Sequence, residues 1–91
     1  DQIPLSPAYG RESGYIAVHV YRNTPIDPYF QIVENIMKTY DGRPHWGKMH
    51  TRTSEDLSPL YPEWNKFQIA LERLDPDGHF STPYLDRVLR G

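Results

Sequence analysis

The sequence predicts an α+β fold, in which one strand of a larger antiparallel sheet is covered by helices and a helical tail ends the chain. Hydrophobic residues alternate with a period of two over residues 14–22, and later they recur at three- and four-residue spacing. Only 37% of the 91 residues are hydrophobic and nine are prolines, so any core is thin. A lone strand leaves its backbone amides unpaired, and no second strand of comparable quality is visible. We therefore expect the chain to be a fragment of a larger protein.

Residues 1–13 are interpreted as a linker, because they hold two prolines and a glycine without any period. The predicted strand GYIAVHVYR follows at residues 14–22. Its alternation gives an apolar face of Ile16, Val18 and Val20, and a mixed face of Tyr15, Ala17, His19 and Tyr21. The two phenols and the imidazole on the mixed face indicate a surface that meets something polar.

The next predicted element is a helix with clear ends. Asp27 is suited to cap it, Pro28 to occupy its first position, and Asp41-Gly42 to stop it. Its apolar residues fall at helical spacing: Phe30, Val33, Ile36, Met37 and Tyr40. We expect this stripe to pack on the apolar face of the strand.

Short helical segments are predicted for the rest of the chain. Ser54 is expected to cap a short turn, Pro62 to open a longer helix, and the DPDG sequence at residues 75–78 to form a turn. Thr82 and Pro83 predict the start of a last helix. The apolar sides are Trp64, Phe67, Leu71 and Leu74 in the first of these helices, and Tyr84, Leu85, Val88 and Leu89 in the last.

Composition excludes several classes of function. The formal net charge is −2 and the basic residues are scattered singly, so nucleic-acid binding has little electrostatic support. The absence of cysteine excludes disulfides and thiolate metal sites. No apolar run approaches the roughly 20 residues that cross a bilayer, so membrane association is not indicated. No targeting segment is visible, and the localisation stays open with the cytoplasm as the default.

The loop GRPHWGKMHT at residues 42–51 concentrates groups that could act chemically. A lysine held near aromatic rings can donate hydrogen bonds or stabilise developing negative charge, which gives Lys48 a possible role. The alternative is that Trp46 fills the core and Lys48 is a solvated charge. His45 and His50 are five residues apart without a cysteine or a paired-histidine helix spacing, so no metal site is predicted. His19 could bind a ligand, or it could complete a hydrogen-bond network.

Several ordered motifs of this chain resemble the C-terminal end of FAD-linked aldonolactone and alditol oxidases. This family of the vanillyl-alcohol-oxidase superfamily includes D-arabinono-1,4-lactone oxidase, L-gulonolactone oxidase and alditol oxidase. The motifs are Arg43 to Lys48, Leu60-Tyr61-Pro62, Leu74 to Phe80, and Tyr84 to Leu89. The resemblance implies that residues 14–80 are part of a substrate (cap) domain and that residues 81–91 form a C-terminal helix returning towards the flavin domain.

The resemblance also implies an activity and a set of site residues. His45 and Trp46 match cofactor-binding positions, and Lys48 matches a catalytic and substrate-binding position beside the flavin. His19 and Tyr21 match substrate-binding strand positions. Alditol oxidases have a smaller threonine at the position of Tyr21, which favours a lactone over a polyol substrate. The implied reaction is hydride transfer from a sugar-derived carbon to the flavin, which is usually reoxidised by oxygen.

The FAD of such an enzyme is bound mainly by a domain that this chain lacks. The implied partner is therefore the remainder of the oxidase, and the isolated chain is not expected to turn over. A second hypothesis is a non-catalytic binding or assembly module that uses the aromatic loop at residues 42–51 as an interface. This loop contains the sequence HWGK and is called the HWGK loop below.

Overall fold

The computed structural model describes residues 1–21, 23, 25 and 27–91, and these form short helices joined by turns. The helices are α1 (Asp27–Thr39), α2 (Ser54–Leu57), a 3₁₀ helix (Ser58–Leu60), α3 (Trp64–Leu74) and α4 (Pro83–Leu85), which continues into a π-helical turn (Asp86–Arg90). The described residues contain no strand and no sheet. The predicted α+β fold class is therefore wrong for this chain.

The predicted strand is an irregular segment over residues 14–21, and its last residue, Arg22, lies outside the described residues. Tyr15, Ile16 and Tyr21 are 70%, 74% and 90% exposed. The physical reason is that the backbone amides of a single strand have no hydrogen-bond partners when no neighbouring strand pairs with it. In the predicted stripe of α1, Ile36 and Tyr40 are exposed and Phe30, Val33 and Met37 are half-buried, so no residue of the expected interface with the strand is fully buried.

Helix α1 ends where the sequence predicts, but it begins at Asp27, the predicted cap, one residue before the predicted first position Pro28. Its C-terminus closes where the Gly42 amide donates to the Met37 carbonyl at 2.8 Å. Asp41 adopts a left-handed conformation with φ of 54°, as the residue after a helix often does. A Cβ on Gly42 would lie 2.9 Å from the Met37 carbonyl oxygen, so the tight stop requires glycine here.

The later helices differ from the prediction in small ways. Thr53, not Ser54, caps α2, and it forms a reciprocal capping box with Asp56. The long helix α3 begins at Trp64, two residues after Pro62. Thr82 caps α4 as predicted, because its hydroxyl accepts a hydrogen bond from the Leu85 amide at 3.1 Å.

The core lies among α2, the segment after it, α3 and the π-helical turn. Leu57 and Val88 are fully buried, and Tyr61 and Trp64 are nearly so. Partly buried apolar residues pack around them: Leu5, Trp46, Leu60, Tyr84, Leu85 and Leu89. Leu5 and Trp46 bring the N-terminal segment and the loop after α1 onto this core. Among the described residues, no helix combines the length and apolar character needed to cross a membrane.

Candidate functional site

Arg43 fixes the start of the loop between α1 and α2. Its guanidinium donates to the Leu60 carbonyl at 2.9 Å and to the Tyr9 carbonyl at 2.8 Å. The same group lies 4.9 Å from the centre of the Tyr61 ring, a cation–π distance. One side chain thus joins the loop, the core and the N-terminal segment, because an arginine can donate in several directions at once.

Trp46 fixes the middle of the loop. Its indole N–H donates to the Leu5 carbonyl at 2.7 Å, and its ring centre lies 5.5 Å from that of Tyr61. The side chain is half-buried against the core. The indole therefore fills space beside the core, and its polar atom is already used within the chain.

His45 and Lys48 lie on either side of this fixed residue and are both exposed. The His45 Nδ1 atom accepts a hydrogen bond from the Gly47 amide at 3.0 Å, so Nε2 carries the proton of the neutral ring. The Lys48 amide donates to the His45 carbonyl at 3.1 Å, which closes a turn. A Cβ on Gly47 would lie only 3.3 Å from His45 Cε1, so this close turn favours glycine.

His50 ends the loop, and it is buried, with 6% of its surface exposed. Its Nδ1 atom accepts from the Arg52 amide at 3.1 Å, and its Nε2 atom lies 3.0 Å from the Tyr84 hydroxyl. The Tyr84 hydroxyl in turn donates to the Trp46 carbonyl at 2.6 Å. The C-terminal helix is thereby connected to the backbone of the loop.

The electrostatic surroundings keep His50 in its neutral form. Burial and the positive charge of Arg87 lower the pKa of His50. Arg87 donates to the His50 carbonyl at 2.9 Å, and its guanidinium lies 5.4 Å from the centre of the Tyr84 ring. Thr51, the next residue, donates its amide to the Glu34 carboxylate of α1 at 2.9 Å.

The structure brings together only part of the site expected from the sequence. His45, Trp46 and Lys48 share one loop, whereas His19 and Tyr21 lie in the exposed segment before α1. No hydrogen bond, ion pair or ring contact between described residues joins His19 or Tyr21 to that loop. Within the same described residues, no three His, Cys, Asp or Glu side chains are grouped so that they could hold a metal ion.

Sequence reasoning missed the contribution of His50, Tyr84 and Arg87. The sequence alone presents His50 as a possible metal ligand and Tyr84 as part of an apolar face. One available signal is that a tyrosine on a buried face needs a partner for its hydroxyl. An unassigned histidine beside the loop is a candidate for that partner.

Comparison with known proteins identifies related sequences along nearly the whole chain. The family model described as D-arabinono-1,4-lactone oxidase matches residues 1–88. L-gulono-1,4-lactone dehydrogenase of Mycobacterium tuberculosis is 51% identical over 85 residues, which cover 93% of this chain and 20% of that protein. L-gulonolactone oxidase of Mus musculus is 41% identical over 92 residues, covering 97% of this chain and 21% of that protein.

A third relative is alditol oxidase of a Streptomyces species. It is 32% identical over 94 residues, covering 100% of this chain and 22% of that protein. The chain thus spans about a fifth of the length of the curated relatives that it matches. No solved structure shows a significant match.

Proposed function

The chain belongs to the D-arabinono-1,4-lactone oxidase family, a family of oxidoreductases, and we propose that it forms the C-terminal part of an FAD-dependent enzyme that oxidises a sugar-derived aldonolactone. The chain matches only about a fifth of its relatives, so the cofactor is proposed to be bound mainly by the rest of the protein. Turnover is accordingly proposed for the complete protein and not for this segment alone.

The observation that carries the proposal is the division of roles within the HWGK loop. The side-chain N–H groups of Arg43 and Trp46 donate hydrogen bonds to backbone carbonyls of the chain, and these bonds fix the loop. His45 and Lys48 are left exposed on that fixed backbone. A rigid backbone that presents free donors is what positioning of a small substrate requires.

These residues fit the groups that a flavin and a lactone present. Lys48 is proposed to donate a hydrogen bond to a hydroxyl or carbonyl oxygen of the substrate and to stabilise negative charge there. The exposed Nε2–H of His45 suits an oxygen or nitrogen acceptor of a flavin ring, and the half-buried Trp46 is proposed to wall the pocket. When bound, FAD would supply the hydride acceptor, and the chain's own residues would bind and orient.

A lactone is favoured over an alditol as the substrate. The relatives at 51% and 41% identity are named for gulonolactone, whereas the alditol oxidase is 32% identical. The proposal keeps His19 and Tyr21 as substrate-binding residues, and the bulk of Tyr21 suits a compact ring better than an open polyol. The alternative of a protein-binding loop has less support, because the indole N–H that an interface would use is bonded to Leu5.

The test uses the complete protein that contains this chain. We expect a visible absorption spectrum with flavin bands, and bleaching of those bands when an aldonolactone is added without oxygen. Replacing Lys48 with alanine should lower the rate of lactone oxidation about 10²- to 10³-fold, the effect of removing a donor to developing charge. The control is His79→Ala, since His79 is exposed and its side chain lies near Asp77 of the same turn.

The two parts of the proposal fail in different ways. A colourless complete protein would contradict the cofactor assignment. A yellow protein in which Lys48→Ala and His79→Ala lose equally little activity would contradict the site assignment and leave the family membership intact.

A further inference from the structure

We propose that His50 and Tyr84 are positioning residues, which hold the backbone of the HWGK loop through a directional hydrogen-bond chain so that His45 and Lys48 face the reaction. This inference deepens the proposed function and rests on it. Neither residue is proposed to touch the substrate or the cofactor.

The direction of the hydrogen bonds is fixed by the groups at its ends. The Arg52 amide can only donate, so His50 Nδ1 must accept and the proton of the neutral ring is on Nε2. Nε2–H then donates to the Tyr84 oxygen, which lies 3.0 Å away. The Tyr84 hydroxyl has one proton, and the Trp46 carbonyl at 2.6 Å receives it. Each donor and acceptor in the chain is used once, in one direction.

The hydrogen-bond chain reaches the HWGK loop at a residue that lies between the two exposed donors of that loop, His45 and Lys48. The carbonyl that accepts from Tyr84 belongs to Trp46, directly after His45 and two residues before Lys48. On its other side, the Trp46 indole is held by Leu5. Loss of the Tyr84 hydroxyl would release one of these two constraints and leave the core contacts of the tyrosine ring in place.

Protonation of His50 would break the first hydrogen bond of this network, the one from the Arg52 amide to Nδ1. The charged groups that face His50 are Arg87 from the π-helical turn, Arg52 from the following segment and Glu34 from α1. A proton on Nδ1 would place two donors against each other, the imidazole N–H and the Arg52 amide. Because burial and Arg87 lower the pKa of His50, the folded protein keeps the ring neutral and the Arg52–His50 hydrogen bond intact at and below the unfolded value of about 6.5, and that bond is lost as the pH falls through the lower folded pKa.

The experiment compares three variants of the complete flavoprotein. Tyr84→Phe removes only the hydroxyl, and His50→Gln keeps a donor towards Tyr84 without a titrating ring. Tyr40→Phe is the matched control, because the Tyr40 side chain is 77% exposed and lies outside the network. For each protein, kcat and KM with an aldonolactone are measured per bound flavin from pH 5 to pH 9, together with the melting temperature and the hydrogen–deuterium exchange of peptides covering residues 43–50.

We expect Tyr84→Phe to lower kcat/KM about tenfold, since small displacements of positioned groups have effects of this order or larger. Its melting temperature should stay within a few degrees of the parent, and residues 43–50 should exchange faster. The parent should lose kcat/KM as the pH falls through the lowered pKa of His50, which lies below the ordinary value of about 6.5, and His50→Gln should lack this decline. Tyr40→Phe should match the parent in every measurement.

A purely structural role would lower the yield of folded flavoprotein but leave kcat/KM per flavin and the pH profile unchanged, and that result would overturn the proposal. Equal exchange of residues 43–50 in Tyr84→Phe and Tyr40→Phe would also overturn it, even in a sample that oxidises no lactone. A parent protein that lacks flavin or activity would instead contradict the proposed function.

Discussion

Two regions of this chain differ in how far their side chains are buried and hydrogen-bonded within the chain. The first, here called the bonded region, comprises residues 1–11 and 42–91; the second, the open region, comprises residues 14–21 and 27–40. Buried Leu57, Tyr61, Trp64 and Val88 all belong to the bonded region. No residue described in the open region is buried, and its exposed large apolar side chains are Tyr15, Ile16, Val20, Tyr21, Tyr29, Ile32, Ile36 and Tyr40. Exposed ones also occur in the bonded region, at Ile3, Met49, Ile69, Leu74 and Phe80, but only beside its buried core.

The difference shows which parts of the chain find their hydrogen-bond and packing partners within the chain itself. Arg43, Trp46 and Tyr84 bond to residues more than 30 positions away, so the bonded region closes on itself. Helix α1 is joined to the bonded region over a shorter separation, through Glu34 and Thr51, which are 17 positions apart. Its outward residues at three- and four-residue spacing, Tyr29, Ile32, Ile36 and Tyr40, meet no covering surface among the described residues.

The largest expected effect tests whether burial separates the two regions. Leu57→Ala removes a fully buried side chain and should lower the free energy of unfolding by about 2–5 kcal/mol. Ile36→Ala, at a position that is 53% exposed, should change it by no more than about 0.5 kcal/mol. Urea unfolding of the 91-residue chain can be followed by tryptophan fluorescence, since both tryptophans lie in the bonded region.

Similar losses for the two variants would contradict the comparison, because Ile36 would then be buried as deeply as Leu57. Repeating the pair in the complete protein sharpens it. A large cost of Ile36→Ala there, absent from the 91-residue chain, would locate the surface that covers α1 in the remainder of the protein.

The next effect concerns the residue that joins the N-terminal segment to the core. Arg43→Ala removes charge-assisted hydrogen bonds to the Leu60 and Tyr9 carbonyls and the contact with the Tyr61 ring. We expect a loss of about 1.5–3 kcal/mol in the free energy of unfolding. Arg73→Ala is the control, because Arg73 is an exposed residue in the last turn of α3.

A differential readout accompanies that measurement. Proteolysis within residues 1–11 should become faster in Arg43→Ala than in Arg73→Ala, since the N-terminal carbonyls lose their donor. Equal cleavage rates would mean that the Leu5 contact with Trp46 suffices to hold the segment, and Arg43 would then be of local importance only.

The same contrast explains how much of the fold the sequence could predict. The Asp41-Gly42 stop of α1 and the Thr82 cap of α4 depend on bonds within five residues, and both predictions are confirmed. The strand at residues 14–22 has the right local alternation, but a strand forms only when another strand pairs with it. The local sequence pattern therefore predicts helix ends, but it cannot predict whether a partner strand is present.

The candidate site divides in the same way. The composition of the loop gives only Lys48 a possible role, whereas the prediction of His45 and Trp46 as site residues comes from the family resemblance, and the comparisons confirm that resemblance. The bonds that hold the loop span much longer separations, such as Tyr84 to Trp46 over 38 positions. No spacing rule in a sequence reports which distant carbonyl a hydroxyl will meet, so the positioning residues became visible only in three dimensions.

The smallest expected effect separates two tyrosines within the bonded region. Tyr61 is 1% exposed, and its hydroxyl has no hydrogen-bond partner among the described residues. Burial raises the pKa of Tyr61 to about 12, so the hydroxyl stays protonated in ordinary buffers. An unpaired buried hydroxyl costs free energy, and Tyr61→Phe should therefore be neutral or stabilising by up to about 1 kcal/mol.

Tyr84→Phe provides the matched comparison, because its hydroxyl bonds to both His50 and the Trp46 carbonyl. Its loss should destabilise the chain by about 0.5–1.5 kcal/mol, the usual net value of a hydrogen bond. Both variants keep an aromatic ring and differ only in the hydrogen-bond partners of the removed oxygen. Changes of opposite sign in the free energy of unfolding, measured with urea, would therefore separate the contribution of the hydrogen bonds from that of packing. A loss for Tyr61→Phe as large as that for Tyr84→Phe would mean that the Tyr61 hydroxyl has a partner, such as a buried water beside Arg43, and that the loop is held from the core side as well.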